Sequence, residues 1–432
     1  MDFFLFVLVN AALFIRPGEI APGLAGVPIY QALILACLIV SLPRIWAQWS
    51  RRPLAERPIT AAMLLLLVAV VMSHVAHGDI GLAQWYGLDF ARVVLYYILF
   101  VAVTGTPARL RGLLTWLLVF IVAIATLALC QYHNLVDLPA LRPLERFDES
   151  SESDEGVYIL QLVGTGIFND PNDFALLLAF GCLISLWLAA DRGFGLPRVA
   201  WSIPLGVLGY AILLTQSRGG LLALAAGVMT WMASLVRARW VFIAVGVAGP
   251  LSLPLLGGRL ARMSIESETA QQRIHLWYDA LEEFRGAPIF GIGTNTLEDR
   301  IGLVAHNSFV QAFAEMGLLG GMTFIAAFVM ALLILRPQGR RDVLVLDDQL
   351  SRMRPYLLAS VVTFSTGLYS LTRCYVISTY LPLALAESFQ LNAVRSPSDA
   401  GLRLNPRLLA MLGGVGLASL VAIWLFVRVF IR

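Results

Sequence analysis

Several short stretches of this chain hold polar groups of a type and spacing that could do chemistry. LLTQSRGGLLALAAG, residues 213–227, sets Ser217 and Arg218 between two long apolar runs. FNDPNDFA, residues 168–175, supplies Asp170, Asn172 and Asp173. RIHLWYDALEEFRGAPIFGIGTNT, residues 273–296, opens on Arg273, and HNSFVQAFAEMGLLGG, residues 306–321, carries His306, Asn307 and Glu315. Arg373 stands between two further apolar runs. A guanidinium never loses its charge and grips phosphate oxygens two at a time, so arginines gathered at one membrane level suit a lipid-linked pyrophosphate. A neutral histidine beside them can take a proton from an acceptor hydroxyl. Arginines can also stabilise the charge that develops on a departing pyrophosphate. That set of parts describes glycosyl transfer from a lipid pyrophosphate outside the cell.

Each residue also has a plainer use. Arg218 could snorkel to the membrane interface or pair with Asp170 or Asp173. Asp170, before a proline-led helix start, could be a cap, as could Asn307 or Ser308. His306 could be structural. Glu315 could neutralise an arginine, and Arg373 and Arg92 could pair with Glu387 and Asp89. Metal binding is not expected: no two histidines have ligand spacing, and His74 and His77 lack further ligands nearby. Cys37, Cys130, Cys182 and Cys374 all fall in apolar runs and read as small core residues. No cofactor is expected.

The elements that must position these groups are membrane helices. Of 432 residues, 59% are hydrophobic and only 14% charged, with mean hydropathy +0.78. Soluble domains carry roughly 25% charged residues. Apolar runs of about 20 residues recur along the length, and only a helix satisfies its own backbone in lipid. The expected fold is therefore an all-α polytopic membrane protein with about 12 or 13 transmembrane helices. Spans are placed near 2–15, 28–43, 59–76, 88–104, 112–132, 171–190, 199–215, 219–236, 240–257, 307–335, 355–372, 375–392 and 408–428. The first of these lacks a basic start and a small-residue cleavage site, so it reads as a retained span rather than a secretory signal. The count turns on 375–392: if that run inserts only partly, there are 12 spans and the C-terminus is inside.

All 31 basic residues are arginine, and the net charge of +3 points to no particular partner; no nucleic acid is expected. Every second loop is arginine-rich. Arg44, Arg51, Arg52 and Arg57 mark one, Arg109 and Arg111 the next, then Arg192 and Arg198, Arg237 and Arg239, and Arg336 to Arg354. The positive-inside rule puts those loops in the cytoplasm and Arg218, Asn172, Arg273, His306 and Arg373 at the outer face. Arg218, Arg273 and His306 are expected to converge on one cavity, with Gly219 and Gly220 leaving room for a phosphate beside Arg218.

Residues 1–432 thus read as a single integral membrane domain with two long outer loops. The first, 133–170, contains LERFDESSESDE, an acidic and serine-rich stretch expected to be mobile. The second, 258–306, has Ile274, Trp277, Leu281 and Phe284 at helical spacing, an amphipathic helix for the membrane face or the bundle. Gly286 and Pro288 stop it, and FGIGTN gives a glycine-rich turn. This ordered loop is the expected catalytic loop.

Four of the motifs quoted, TQSRGGLLAL, GIFNDPNDFA, RIHLWYDALEEFRGAPIFGIGTNT and HNSFVQAFAEMGLLGG, together resemble the O-antigen ligase and polymerase superfamily over about 160–325. The resemblance implies an all-helical, GT-C-like membrane glycosyltransferase with a large helical periplasmic loop. It implies a metal-independent transfer of a glycan from an undecaprenyl-pyrophosphate carrier to an acceptor at the periplasmic face of the bacterial inner membrane. Matched motif by motif, Arg218 and Arg273 look like the pyrophosphate-contacting arginines, and His306 like the residue that activates the acceptor hydroxyl. Ser217, Asn172, Asp173, Asn307, Glu315 and Arg373 are the accompanying substrate-binding candidates. The acidic stretch 145–155 matches no hallmark of the family. A ligase would use lipid A core as acceptor and a polymerase a second lipid-linked glycan. Some relatives glycosylate protein, which the lack of a large soluble C-terminal domain disfavours here. The rival from another class is a transporter or flippase for an anionic lipid, which should place its charges near the midplane. No convincing internal repeat supports it. A membrane scaffold would leave the clustered charges unexplained.

Overall fold

The computed structural model describes residues 1–148, 157–190, 198–235, 268–336, 347–393 and 401–431. The expected span 240–257, the start of the second outer loop, most of the acidic stretch and Arg192, Arg237, Arg239, Arg340, Arg341 and Arg395 lie outside the described residues. The principal helices are α1 (Asp2–Phe14), α2 (Ile29–Arg51), α3 (Pro58–Val75), α4 (Ile80–Val103) and α5 (Pro107–Tyr132). After a two-stranded hairpin come α6 (Pro171–Ala190), α7 (Ser202–Leu214), α8 (Arg218–Leu235) and α9 (Glu268–Gly286). The remainder are α10 (Leu297–Ile301), α11 (Ser308–Leu335), α12 (Asp348–Gly367), α13 (Ile377–Ala393) and α14 (Pro406–Phe430).

Seven of the described helices are long and apolar enough to cross a membrane: α2, α3, α4, α5, α6, α11 and α14. The chain is an all-α polytopic membrane protein. α1 and α7 are apolar but have only 13 residues each. α4 starts at Ile80, not near 88, so Asp89 and Arg92 stand in its third and fourth turns and pair with each other at 3.0 Å on an exposed face. The loop 133–170 holds a structure not anticipated from its acidity. Leu144–Asp148 (β1) pairs antiparallel with Val157–Gln161 (β2), joining Leu144 to Gln161 and Asp148 to Val157. Alternating Tyr158 and Leu160 are exposed, and Gln161 is buried and donates to the Thr215 carbonyl at 3.2 Å.

The chain divides into two compact units, each made of separate stretches. The first comprises 1–42, 106–263 and 348–367. Within it α6 packs on α5, α7, α8 and α12, and α8 on α12. Gly220 of α8 lies so close to α6 that a Cβ there would collide with the Ala175 side chain, and Gly227 meets Thr363 of α12 in the same way. Arg109 at the start of α5 grips the Asp2 carboxylate with two N–H groups, at 3.1 and 3.3 Å.

The second unit comprises 43–105, 264–347 and 368–432. Its centre is α11, which packs on α3, α9, α13 and α14. α11 is broken at Gly317, whose φ of 62° and ψ of −160° are glycine backbone geometry. In an unbroken helix the Leu318 and Leu319 N–H groups would bond the Ala314 and Glu315 carbonyls. Here all four groups pair with the turn 288–293 instead. Leu318 N–H donates to Pro288 O at 2.8 Å and Leu319 N–H to Ile289 O at 3.2 Å. Ile292 N–H donates to Ala314 O at 3.0 Å and Gly293 N–H to Glu315 O at 3.1 Å. The glycine-rich turn therefore completes a broken helix. A Cβ on Gly291 or Gly317 would strike the opposing backbone, which explains both glycines without a ligand.

Candidate functional site

In the second unit, α9 buries Ile274, Leu276, Ala280 and Leu281 against α11 and α14. Phe284 meets Phe313 edge-on at 5.9 Å, and Trp277 meets Phe426 at 6.0 Å. Of the two placements open to this amphipathic helix, it takes the one against the bundle. Its charges are spent on the other side, where Glu282 pairs with Arg285 and Glu283 with Arg300, each at 2.8 Å. Trp277 is only part of the apolar stripe by composition, yet its indole N–H donates to the Ala305 carbonyl at 2.8 Å. Arg273, half-buried, is one helical turn before Trp277 and so shares its face. Trp277 thereby ties the arginine-bearing helix to the residue preceding His306.

His306 is held in left-handed backbone, φ 48°, with its N–H donating to Thr372 Oγ1 at 2.8 Å. Asn307 follows as the cap of α11: its Oδ1 accepts from Phe309 N–H at 3.0 Å and Val310 N–H at 3.2 Å. The capping role is thus met by Asn307, which is wholly buried. Ser308 locks the same end to the loop 368–376. Its N–H donates to Leu368 O, its hydroxyl to Leu371 O, and that hydroxyl accepts from Arg373 N–H at 3.0 Å. Burial pushes the Cys374 thiol well above its usual range, so it stays protonated and donates to Ser308 O at 2.9 Å.

Beneath this start of α11 lies a cavity of about 290 Å³. Asp89, Asn295, Glu298, Gln311, Thr372 and Arg373 line it, with Glu315 and Tyr375. Glu315 is 2% exposed. Its described partners are not arginines. Tyr375 Oη donates to Oε2 at 2.7 Å, Gln311 Nε2 to the same oxygen at 3.0 Å, and Leu297 N–H to Oε1 at 3.3 Å. Burial, then the charge of Glu315, holds the Tyr375 phenol well above its usual range, so it remains a donor. Glu387 likewise turns out not to be the partner of Arg373. It accepts from Ile59 N–H at 3.4 Å and Thr60 Oγ1 at 3.3 Å, and the charge beside it is Arg57. Arg373 donates from Nη1 to the Thr372 carbonyl at 3.0 Å.

The first unit holds the other candidates. Asp170 is a cap: its Oδ1 accepts from Asn172 N–H at 2.8 Å and Asp173 N–H at 3.4 Å. Asp173 is buried in the first turn of α6. Ser217 precedes α8, accepts from Gly220 N–H at 3.0 Å, and donates to Asn172 Oδ1 at 2.7 Å. So Ser217 and Asn172 join the starts of two helices and fix the turn from which Arg218 projects. Gly220 leaves no open space for a phosphate on its Ala175 side; close helix packing requires it. Arg218 therefore belongs to the first unit, and Arg273, His306 and Arg373 to the second.

Gln311, Thr372, Tyr375 and Gly317 were not singled out from the sequence. One signal was available for Gln311: Asn307, Gln311 and Glu315 recur every fourth residue, a polar stripe along an otherwise apolar helix. His74 is occupied, with Nε2 bonded to Thr294 Oγ1 at 2.9 Å and its ring stacked on Tyr86.

Residues 203–325 match the protein family described as O-antigen ligase. The match takes in Ser217, Arg218, Arg273, His306, Asn307 and Glu315 and leaves out Asn172, Asp173 and Arg373. No curated protein matches the chain. The family implies a membrane glycosyltransferase-like enzyme of ligase or polymerase type, acting on lipid-linked glycans.

Proposed function

We propose that this protein, whose residues 203–325 carry an O-antigen ligase domain, moves a glycan from undecaprenyl pyrophosphate to an acceptor hydroxyl. The reaction takes place at the periplasmic face of the bacterial inner membrane. Arg218 and Arg273 hold the pyrophosphate and stabilise its developing charge. His306 takes the proton from the acceptor hydroxyl. The acceptor oxygen then forms a bond to the anomeric carbon, and the bond from that carbon to the phosphate oxygen breaks. The pyrophosphate leaves with the electron pair. The guanidiniums supply the positive charge, so the scheme needs no metal ion.

The observation that carries this reading is the domain match, which contains all three residues in order. The hydrogen bond from Trp277 to Ala305 supports it by fixing α9 to the His306 turn. The test is a transfer assay with purified protein in nanodiscs, an undecaprenyl-pyrophosphate-linked glycan, and rough lipopolysaccharide as acceptor. Arg218→Ala, Arg273→Ala and His306→Ala should each lose at least about a hundredfold in rate, the scale of removing one positioned charge or acid–base group. Full activity in all three would reject the reading. Full-length glycan stranded on carrier lipid in a deletion strain identifies the ligase. Loss of polymer length identifies instead a polymerase joining lipid-linked repeat units.

A further inference from the structure

We infer that the cavity beneath the start of α11 is a subsite for one hydroxyl-bearing sugar ring of the acceptor, with Gln311 as its recognition residue; this rests on the transferase reading above. The cavity has a buried floor, Gln311 and Glu315, and an exposed rim that includes Asp89, Asn295 and Glu298. Gln311 is 4% exposed. Its amide orientation is fixed, because Nε2 donates to the Glu315 carboxylate. Its Oε1 is then a buried acceptor with no hydrogen-bond partner among the described residues. The unmet acceptor thus belongs to a residue that lines the cavity. A hydroxyl can donate to this acceptor, where a phosphate, which only accepts, cannot. Leaving such a group unmet is unfavourable, which makes a ligand hydroxyl favourable there.

The charge of the lining argues the same way. Among the described residues, Asp89, Glu298 and Glu315 line the cavity against one cation, Arg373, a balance that disfavours an anionic pyrophosphate. Carboxylates and amides accept hydrogen bonds from sugar hydroxyls, and the Arg373 fork donates to ring and hydroxyl oxygens. About 290 Å³ is at the small end of ligand pockets, enough for one ring rather than a glycan chain. Glu315 acts here as a positioning residue: with Tyr375 and Leu297 N–H it fixes the carboxylate that orients Gln311.

The experiment has a binding arm and a transfer arm, both on the full chain in nanodiscs. In the first, the oligosaccharide released from rough lipopolysaccharide is the probe, read by saturation-transfer NMR. The wild type should show transfer to sugar protons. Gln311→Met, which keeps the volume and removes both polar atoms, should abolish it, and Glu298→Ala at the rim should weaken it. In the second, Gln311→Met should raise KM for rough lipopolysaccharide at least tenfold while KM for the lipid-linked donor is unchanged. Thermal unfolding confirms that the variants are folded, and Glu298→Ala gives the same reading if Gln311→Met is not. Unaltered probe binding in both variants overturns the inference, as does an effect on donor KM alone. If the wild type transfers nothing but binds the probe through Gln311, the transferase reading fails and the sugar subsite stands.

Discussion

The indole N–H of Trp277 bonds the carbonyl of Ala305 at 2.8 Å, across 28 residues of chain. Arg273 is one turn away on the same helix, and His306 is the next residue after the acceptor carbonyl. Trp277→Phe keeps most of the packing against Phe426 and removes this one bond. It should lower stability by about 1 kcal/mol, the cost of a single lost hydrogen bond. If the bond positions His306 and Arg273, kcat in the transfer assay should also fall about tenfold, because small displacements of catalytic groups are expensive. A lowered Tm with unchanged kcat would show a bond that only holds the fold.

Gly317 and Gly291 form a close backbone crossing between the broken helix and the turn after α9. Gly317→Ala places a methyl group against the Ile289 carbonyl in a backbone region that only glycine adopts. The conformation alone costs about 1–3 kcal/mol, and the collision adds to it. The variant should unfold at a clearly lower temperature or fail to accumulate. Gly414→Ala is the control: a Cβ there meets nothing within 4 Å, so Tm should hold or rise. Equal behaviour of the two would remove the crossing as a structural requirement.

The helices were legible because lipid leaves a chain so few choices. Runs such as 112–132 and 171–190 correspond to α5 and α6 within a few residues. The cap at Asp170 was legible too, since an acid before a proline-led helix start has few other uses. What was hidden is tertiary. Gly220 reads as open space beside a cation, but the close approach of Ala175 is what requires it, and sequence spacing does not show that approach. The turn FGIGTN reads as a loop feature, and its true partner is a break in α11 some 25 residues later. Glu315 and Glu387 read as counter-ions for nearby arginines. Each takes a partner from a segment far away in sequence, Tyr375 for one and Thr60 for the other.

Tyr375 ties stability to alkaline pH. Its folded-state phenol is raised by burial and by Glu315, while the unfolded chain titrates near the ordinary value of about 10. A group raised on folding contributes its full stability below the unfolded value and loses it as pH climbs above. Wild-type stability should therefore be flat with respect to this group up to about pH 10 and fall beyond it. Tyr375→Phe should be less stable at pH 7 by about 1 kcal/mol, the scale of one lost hydrogen bond. It should also show a shallower alkaline decline. Thermal unfolding from pH 7 to 11 measures both. Parallel curves for the two proteins would mean that Tyr375 does not couple to Glu315 as described.

Scaffold and chemistry around Arg218 separate by substitution. Ser217 accepts from Gly220 N–H and donates to Asn172 Oδ1, so one hydroxyl holds the starts of α8 and α6 together. Ser217→Ala removes a helix cap, worth about 1 kcal/mol, and leaves the Asn172 oxygen without that donor. Ser217→Thr retains both bonds. If Ser217 acts only by fixing the turn, Ser217→Ala should lose activity and stability together, and Ser217→Thr should recover both. Arg218→Lys should behave in the opposite way, because it leaves the turn intact but replaces a planar fork with a point charge. Its Tm should match the wild type while its KM for the lipid-linked donor rises about tenfold or more, since a bidentate contact has gone. Wild-type kinetics in Arg218→Lys would show that no bidentate phosphate contact is made there. The turn would then be scaffold, and Arg273 would have to carry the pyrophosphate alone.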